Sequence, residues 1–377
     1  MKLRVLVLGA GFGGLELASI LSEQLPENLE LTLIDRSDSF FFGYSKLDVM
    51  FGRKTPESVR ISYSSITKPG VHFLQEEITS IDPAAKTVTT RRGTLDADVM
   101  VIALGADYDV AATPGLVEAG HEFYSFSGAV RLREALSTFS KGDVIVGATS
   151  KPFKATGAVS EAALLLDEYL RQRGVRDACT ISLVLPFGAP IPPSPEASKA
   201  LRAAFASQGI TFVPDRMVKA LDPSRRVAVL DDGSELPYEL FLGVPKHCVP
   251  GVVTSSGLTE NGWVAVDPKT LETRFPGVYA IGDATNIGTP KTGGFSESAA
   301  RVVAAAIIAG RNGGPRPGPY TGTSTGYLEF GARRVGRLDF DFYSGASPHV
   351  QFSDPSTDLA DEKEAEHMER RRRWFGL

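Results

Sequence analysis

Apolar residues in the first hundred positions occur in strand-length runs and at helical spacing, separated by glycine turns. Residues 3–8 form an apolar run typical of a strand buried in a parallel sheet, residues 15–25 repeat at helical spacing, and 31–34 predict a second strand. This order predicts one βαβ unit. Residues 99–104 predict another buried strand, and the alternating segments between these elements predict a small antiparallel ribbon: 71–73, 78–81 and 87–90.

A second α/β unit follows after residue 134. Residues 143–146 and 180–185 predict strands on either side of a helix at 160–173. Later segments add two helices, at 197–208 and 296–309, and a strand at 278–281. The last fifty residues begin with strand-like alternation through Tyr343 and end in a charged helix.

These elements predict an α/β fold with two Rossmann-like dinucleotide-binding domains, in three layers, with parallel sheets and antiparallel ribbons. The first domain is expected at residues 1–110 and 255–318. The second is expected at 111–254, and a small C-terminal α+β segment at 319–377.

Composition narrows the class of protein. The 377 residues have a net charge of −5, which provides no overall basic surface for nucleic acid, and no apolar run reaches the ~18 residues of a membrane span. The two cysteines, Cys179 and Cys248, exclude a disulfide scaffold, an all-cysteine zinc site and a cysteine-ligated iron–sulfur cluster. No metal site is predicted. Because the N-terminal apolar run leads into a glycine loop and no cleavage site follows it, a cytoplasmic protein is expected.

A glycine-rich turn joins the first strand to the first helix. It has the pattern G-x-G-x-x-G, formed by Gly9, Ala10, Gly11, Phe12, Gly13 and Gly14. Such glycines let the backbone approach a pyrophosphate at a helix N-terminus, and Asp35, at the end of the second strand, is placed to accept ribose hydroxyls. The sequence therefore predicts dinucleotide binding here, with Arg36 beside Asp35 included in the site.

Two later segments resemble the flavoproteins with two dinucleotide-binding domains, a group that includes sulfide:quinone oxidoreductases and type II NADH dehydrogenases. Residues 98–106, with Ala103, Leu104 and Gly105, resemble the strand that crosses between the domains. Residues 278–284 resemble the motif in which an aspartate, here Asp283 after Gly282, bonds the flavin ribityl chain. The resemblance implies FAD.

Residues 261–300 are most similar to the branch of sulfide:quinone oxidoreductases and flavocytochrome c sulfide dehydrogenases. This resemblance implies that Lys291, Thr292 and Gly293, before a helix, face the pyrimidine edge of the flavin. A cation and a helix dipole there would stabilise the anionic reduced flavin. The alternative for Lys291 is a solvated loop lysine.

The chain departs from that branch in its cysteines. Sulfide-oxidising members hold a cysteine pair beside the flavin, but residues 147–157 contain none, and Ala284 follows Asp283. Cys248, next to His247, is the one loop cysteine that could be activated. Because no cysteine lies at residues 40–44, where flavocytochrome relatives attach their cofactor, we expect FAD to be non-covalent.

The second domain provides weak signals for NAD(P)H. The loop after residue 146 lacks the glycine pattern, and the strand at 181–185 ends without an acidic ribose ligand. NAD(P)H therefore remains an alternative that is not favoured. Glu161 is expected in the first turn of the helix at 160–173, either as a proton relay or as an acid that complements the helix dipole.

The C-terminal tail joins a basic cluster, Arg370–Arg373, to Trp374 and Phe375. This combination suits peripheral contact with the inner face of a membrane, but equally a helix docked on its own protein or on the second subunit of a homodimer.

The predicted function is that of an FAD-dependent oxidoreductase similar to sulfide:quinone oxidoreductases. It would pass two electrons from a small donor to a quinone-like acceptor. The alternatives are an NAD(P)H-dependent flavin reductase or type II NADH dehydrogenase-like enzyme, and a non-catalytic flavin-binding protein.

Overall fold

The protein folds around two parallel five-stranded sheets, each packed against helices. The computed structural model describes residues 1–315 and 317–377. The α-helices in chain order are Phe12–Gln24 (α1), Ser45–Met50 (α2), Leu116–Ala119 (α3), Phe126–Thr138 (α4), Gly157–Gln172 (α5), Pro195–Gln208 (α6), Gly251–Ser255 (α7), Gly293–Asn312 (α8) and Asp358–Phe375 (α9).

The first sheet combines strands from both ends of the chain. Its strands, in spatial order, are Val278–Ala280, Val99–Ile102, Leu3–Leu8, Leu29–Asp35 and Val71–Gln75. All neighbours are parallel. Helices α1 and α8 share an apolar core with this sheet, which explains why its central strand is almost entirely apolar.

The second sheet is built from the middle of the chain and is also parallel. Its strands, in spatial order, are His121–Glu122, Leu240–Val244, Gly142–Ala148, Cys179–Val184 and Ile210–Val213. Helices α4, α5 and α6 pack against it. The two parallel sheets confirm the predicted α/β, Rossmann-like fold class, while the domain boundaries stay a prediction.

Antiparallel ribbons complete the fold. The three-stranded ribbons are Ile78–Asp82 with Thr87–Thr90 and Gly93–Asp96, Val218–Asp222 with Val227–Leu230 and Glu235–Pro237, and Thr323–Glu329 with Val335–Asp341 and His349–Ser356. The two-stranded ribbons are Ser39–Phe40 with Ile61–Ser62, Asp107–Asp109 with Lys246–Cys248, and Thr259–Glu260 with Trp263–Val264.

Two details differ from the predictions. Residues 71–75 do not belong to a ribbon; they pair in parallel with Leu29–Asp35 at the edge of the first sheet. Their short alternation could not distinguish an edge strand from a hairpin strand. Helix α5 begins at Gly157, so Glu161 lies in its second turn and not in its first.

Candidate active site

The glycine loop connects the first strand to α1 in a tight turn. Gly9 has a φ of 106°, and a side chain on it would collide with the carbonyl oxygen of Ala103 on the neighbouring strand. Above Gly11, the residue before α1, no atom lies within 4 Å of the position of a Cβ. The loop therefore leaves open space at a helix N-terminus, as a pyrophosphate requires.

Asp35 lies beside this loop at the end of its strand. Its carboxylate accepts the N–H groups of Ala10 at 2.9 Å and of Ser37 at 2.8 Å. Arg36 is exposed and forms an ion pair with Asp107 at 3.1 Å. A carboxylate has about four lone-pair directions, so Asp35 keeps acceptor capacity for ribose hydroxyls, and this role stays a prediction.

The segment predicted to cross between the domains, residues 98–106, and the aspartate motif, residues 278–284, meet at the same end of the first sheet. The N–H of Ala103 donates to Leu8 at 2.7 Å, and Leu104 packs near Gly9. Gly105 and Gly282 both have positive φ, 67° and 73°.

Asp283 carries an unsatisfied polar atom. Among the described residues, its Oδ1 is buried and has no hydrogen-bond partner. Burial raises the pKa of this carboxyl group, although Lys154, Lys291 and Lys46 each act to lower it. An orphaned buried acceptor is costly in a folded protein unless a ligand supplies the donor.

Lys291 is held inside the site and is not a solvated lysine. Its Nζ donates to the carbonyl oxygens of Asp283 and Thr285, both at 2.8 Å, and lies 3.6 Å from the centre of the Trp263 ring. Burial lowers the pKa of Lys291 to about 8. Thr292 follows as the residue before α8, and Gly293 begins that helix.

The sequence did not indicate a second group of residues on the other side of Asp283. Lys46 donates to the carbonyl oxygen of Tyr124, and Tyr108 donates its hydroxyl to the same oxygen at 2.8 Å. Lys154 donates to the carbonyl of Ala106 at 2.7 Å and lies 4.5 Å from the Tyr108 ring. Lys46 lies in the short helix α2 and Lys154 in the loop before α5, and neither position carries a motif that would have indicated this arrangement.

His247 packs edge-on against these tyrosines. Its ring lies 4.9 Å from Tyr108 and 5.2 Å from Tyr124, and Nδ1 lies 2.8 Å from the carbonyl of Pro245. Burial, followed by Lys154, lowers the pKa of His247 to about 3, so the ring is neutral. Nδ1 therefore donates to Pro245, and Nε2, which has no partner among the described residues, is an acceptor.

Cys248 does not have the environment expected of a reactive thiol. It pairs with Asp107 across the two-stranded ribbon, and burial followed by Asp107 and Asp109 raises the pKa of its thiol. Successive strand residues point to opposite faces, and the His247 ring packs on the tyrosines, so this arrangement does not favour activation of the thiol by His247. A catalytic role for Cys248 stays a prediction. Cys179 and Cys248 are both free cysteines.

Glu161 lies at the junction of α5 with the C-terminal ribbon. Its Oε1 accepts the N–H of Glu329 at 2.9 Å, and the Glu329 carboxylate pairs with Arg53 and Lys363, each at 2.6 Å. Burial raises the pKa of Glu161 to about 7. Because Glu161 is in the second turn, the interpretation as a dipole-complementing acid of the first turn is wrong.

This raised pKa predicts a pH-dependent stability. The pKa of Glu161 is about 7 in the folded state and 4.5 for an ordinary glutamate, so the folded state binds the proton more tightly than the unfolded state. The stability that Glu161 contributes through this proton is therefore fully present below pH 4.5 and is lost as pH rises through about 7. We expect Glu161→Gln to exceed the wild type in free energy of unfolding by up to about 3 kcal/mol at pH 8. Urea unfolding from pH 5 to 8 measures this.

The exposed Glu134→Gln provides the matched control, with the wild-type pH slope. Identical slopes for Glu161→Gln and the wild type would contradict the assignment.

In the second domain, other parts of the chain pack beside the helix N-terminus at which a Rossmann domain binds its dinucleotide. A side chain on Gly157, the first residue of α5, would meet Leu328 at 2.5 Å and Ile191 at 3.6 Å. In the preceding loop Phe153 is buried and lies 6.0 Å from the Phe187 ring. The N-terminus of α5 therefore contacts Leu328 of the C-terminal ribbon, while Thr156, Gly157 and Ala158 stay half-buried.

The two aromatic tail residues predicted to contact a membrane are buried instead. Trp374 and Phe375 are 1% and 2% exposed and belong to the core of the first sheet. Trp374 donates its Nε1 to Glu16 at 2.9 Å, Arg373 donates to the same oxygen at 3.0 Å, and Arg370 pairs with Glu297 at 2.9 Å. The prediction of membrane contact through these aromatics is thus corrected, and the docked-helix alternative describes the tail.

Comparison with known proteins agrees with this architecture. Residues 3–310 match the family described as pyridine nucleotide-disulphide oxidoreductase, whose members are FAD-dependent oxidoreductases, and the chain belongs to this family. It is 28% identical over 307 residues to the mitochondrial sulfide:quinone oxidoreductase of Mus musculus, covering 76% of this chain and 67% of that protein. It is 27% identical over 336 residues to the sulfide-quinone reductase of Aquifex aeolicus, covering 82% and 76%.

Solved structures show the same fold. The sulfide:quinone oxidoreductase of Aquifex aeolicus superposes with a TM-score of 0.87 at 24% identity, covering 97% of this chain and 89% of that one. NDH2 from Plasmodium falciparum, solved with NADH, has a TM-score of 0.74 at 13% identity, covering 100% and 97%. The chain is therefore an FAD-dependent oxidoreductase of the two-domain fold.

The residues present fit FAD. The open space over Gly11 at the start of α1 accommodates a pyrophosphate, and the orphaned Oδ1 of Asp283 provides the acceptor that a ribityl hydroxyl needs. No helix within residues 1–315 and 317–377 combines the length and apolar character of a bilayer span.

Proposed function

We propose that this enzyme passes two electrons from a small-molecule donor, through non-covalently held FAD, to a quinone-like acceptor. The observation that carries the proposal is the convergence of the Gly11 loop, the orphaned Asp283 carboxylate and the buried Lys291 ammonium at one end of the first sheet. FAD, when bound, accepts two electrons from one partner and returns them to another.

The chain's own residues have separate proposed tasks. Asp283 orients the ribityl chain through a hydrogen bond, and Lys291 with the N-terminus of α8 places positive charge where a reduced flavin carries negative charge. Glu161, with a pKa near neutral, can hold or release a proton next to the C-terminal ribbon. Residues 40–44 contain no cysteine that could attach the cofactor, which supports a non-covalent FAD. In this segment the rings of Phe40 and Phe42 pack on each other and on Trp374.

The acceptor is proposed from the relatives. The mouse and Aquifex aeolicus proteins both carry quinone in their names, as does the type II NADH:quinone oxidoreductase of Staphylococcus aureus, which is 32% identical over 133 residues. The donor differs among these relatives. The close contact of Leu328 with Gly157 at the α5 N-terminus supports a donor other than NAD(P)H.

Anaerobic mixing of the holoprotein with candidate donors tests this assignment. We expect excess NADH or NADPH to leave the visible flavin absorption band essentially unchanged during seconds, because Leu328 and Ile191 lie against Gly157, where a dinucleotide would have to approach α5. Rapid bleaching by either nucleotide would contradict this expectation and support the alternative of an NAD(P)H-dependent enzyme. If sulfide still bleaches the flavin in the Cys248→Ser variant, the inference that sulfide oxidation needs a thiol in this protein is overturned.

A cytoplasmic location, a homodimer and peripheral contact with a membrane remain predictions. If the protein meets a membrane to reach its acceptor, the surface involved is not the Trp374–Phe375 pair, because both side chains are buried.

A further inference from the structure

A loop of the second domain reaches the end of the first sheet. This loop, residues 149–156, precedes α5. Lys154 donates its Nζ to the carbonyl oxygen of Ala106 at 2.7 Å. The N–H of Ala155 donates to the carbonyl oxygen of Lys291 at 2.9 Å. In a Rossmann domain the loop before this helix faces that domain's own dinucleotide, but here it is bonded to residues around the proposed flavin site.

Lys154 carries a positive charge into this region. The side chain is half-buried, and its Nζ lies 4.5 Å from the centre of the Tyr108 ring, a position in which an aromatic face attracts a cation. Burial acts to lower the pKa of Lys154, but Tyr108 and then Asp283 favour the ammonium form, and the pKa is raised. The carbonyl of Ala106 is neutral, so the hydrogen bond to it holds the ammonium without cancelling its charge.

The charges around Asp283 do not balance. Lys154 and Lys291 both act on its carboxylate, and both ammonium groups are hydrogen-bonded to neutral backbone carbonyls. Two positive charges therefore share one negative charge. Asp107, which also acts on Lys154, is already paired with Arg36 at 3.1 Å.

Other titratable groups nearby do not supply the missing negative charge. Burial lowers the pKa of His247 to about 3, so its ring is neutral. Lys46 donates to the carbonyl oxygen of Tyr124, and burial lowers its pKa, so this side chain adds positive charge or none. Glu122, which acts on Lys46, lies 3.5 Å from Arg131. The excess of positive charge therefore remains at the end of the first sheet.

An excess of positive charge inside a protein favours a ligand that gains negative charge. Uncompensated buried charge is costly, and an anion at the same place lowers that cost. The flavin ring is neutral when oxidised and carries negative charge when it is reduced to its anionic form. The site is therefore expected to bind reduced FAD more tightly than oxidised FAD, which is equivalent to a raised midpoint potential.

We propose that Lys154 raises the midpoint potential of the FAD bound at the first sheet by adding its charge to that of Lys291. The inference rests on the proposed function. Lys154 is thus a positioning residue, which acts through the charge that it places and not through contact with the cofactor. The loop before α5 serves the flavin of the first sheet in place of a second dinucleotide. A raised potential makes the flavin a stronger oxidant toward its donor and requires an acceptor of higher potential.

The midpoint potential of the holoprotein, measured by equilibration with a reference dye, tests this role. We expect Lys154→Met to lose at least ~10-fold in its preference for reduced over oxidised FAD, because a unit charge within about 10 Å contributes this much at an effective dielectric constant of about 20. A tenfold loss lowers the potential of a two-electron couple by ~30 mV. Lys154→Arg keeps the charge and should keep most of the wild-type potential. Lys151→Met, at an exposed position of the same loop, should match the wild type.

Three results would overturn the proposal. The first is an unchanged potential in folded Lys154→Met. The second is a potential that falls equally in Lys154→Met and in folded Lys154→Arg, because a lost packing contact and not a lost charge would then be responsible. If neither variant folds, the wild type decides: its potential should lie above that of free FAD in the same buffer, and a value at or below that of free FAD is the third.

The outcomes also separate this inference from the proposed function. If Lys154→Met lowers the potential but the reduced wild type does not transfer electrons to a soluble quinone, the role of Lys154 stands and the proposed function fails. If the wild type transfers electrons to the quinone and the potential of Lys154→Met is unchanged, the proposed function stands and this inference alone fails.

Discussion

Asp283→Asn should weaken FAD binding by about 5- to 10-fold, because the amide oxygen of Asn still accepts a hydrogen bond but lacks the negative charge that strengthens it. Within residues 1–315 and 317–377, the Oδ1 atom of Asp283 has no hydrogen-bond partner. It lies at the end of the first sheet, beside the Lys291 ammonium that donates to the Asp283 carbonyl. The carboxylate is therefore available for the cofactor. Quenching of FAD fluorescence on titration with apoprotein measures the dissociation constant.

The same substitution should not lower the thermal midpoint of the apoprotein. Burial raises the pKa of Asp283, which means that the folded apoprotein disfavours the charged carboxylate. Asp177→Asn, at an exposed position of the second domain, is the matched control for FAD affinity. Unchanged FAD affinity in Asp283→Asn would remove this residue from the cofactor site.

Trp374→Ala should lower the free energy of unfolding by about 3–5 kcal/mol, the range for removing a large buried aromatic side chain. Trp374 is 1% exposed, its ring lies 5.6 Å from Phe12 and 5.7 Å from Phe40, and its indole N–H bonds Glu16. Because Phe12 belongs to the glycine loop, FAD affinity should decrease together with stability. Denaturant unfolding and FAD titration of the same variant measure both effects.

Two further substitutions provide an intermediate case and a control for this expectation. Trp374→Phe keeps most of the ring but not the bond to Glu16, so it should cost about 1–2 kcal/mol. Met368→Ala, on an exposed side chain of the same helix, should stay within about 0.5 kcal/mol of the wild type. A loss below about 1 kcal/mol in Trp374→Ala would show that the docked tail does not stabilise the protein.

The parts of the site that depend on local backbone geometry could be predicted from the sequence. Gly9 needs a positive φ and a close approach to Ala103, and both requirements follow from a strand, turn and helix in immediate succession. Asp283 lies at the end of the first sheet and Lys291 precedes α8, while the cofactor contacts that the family resemblance implies for both residues stay predictions.

Residues that act through distant partners could not be predicted in this way. Lys46 and Lys154 resemble ordinary surface lysines in the sequence until folding brings them to Tyr124 and Tyr108. A sequence window shows charge and spacing but not the carbonyl or ring that a side chain meets.

The tail shows the same limitation. A basic cluster followed by two aromatics has the same pattern whether it meets a membrane or its own protein. Glu16, an acid within the apolar helix α1, was the one local sign of a buried carboxylate that needs a cationic partner. Arg373 and Arg301 pair with it in the structure.

Reoxidation of the light-reduced holoprotein by a soluble quinone tests the proposed electron transfer most directly, because it needs no knowledge of the donor. Under anaerobic conditions in a stopped-flow instrument, we predict that the flavin absorption band returns with a rate proportional to quinone concentration. A flavin that stays reduced in excess quinone and recovers only on admission of air would contradict the proposed function.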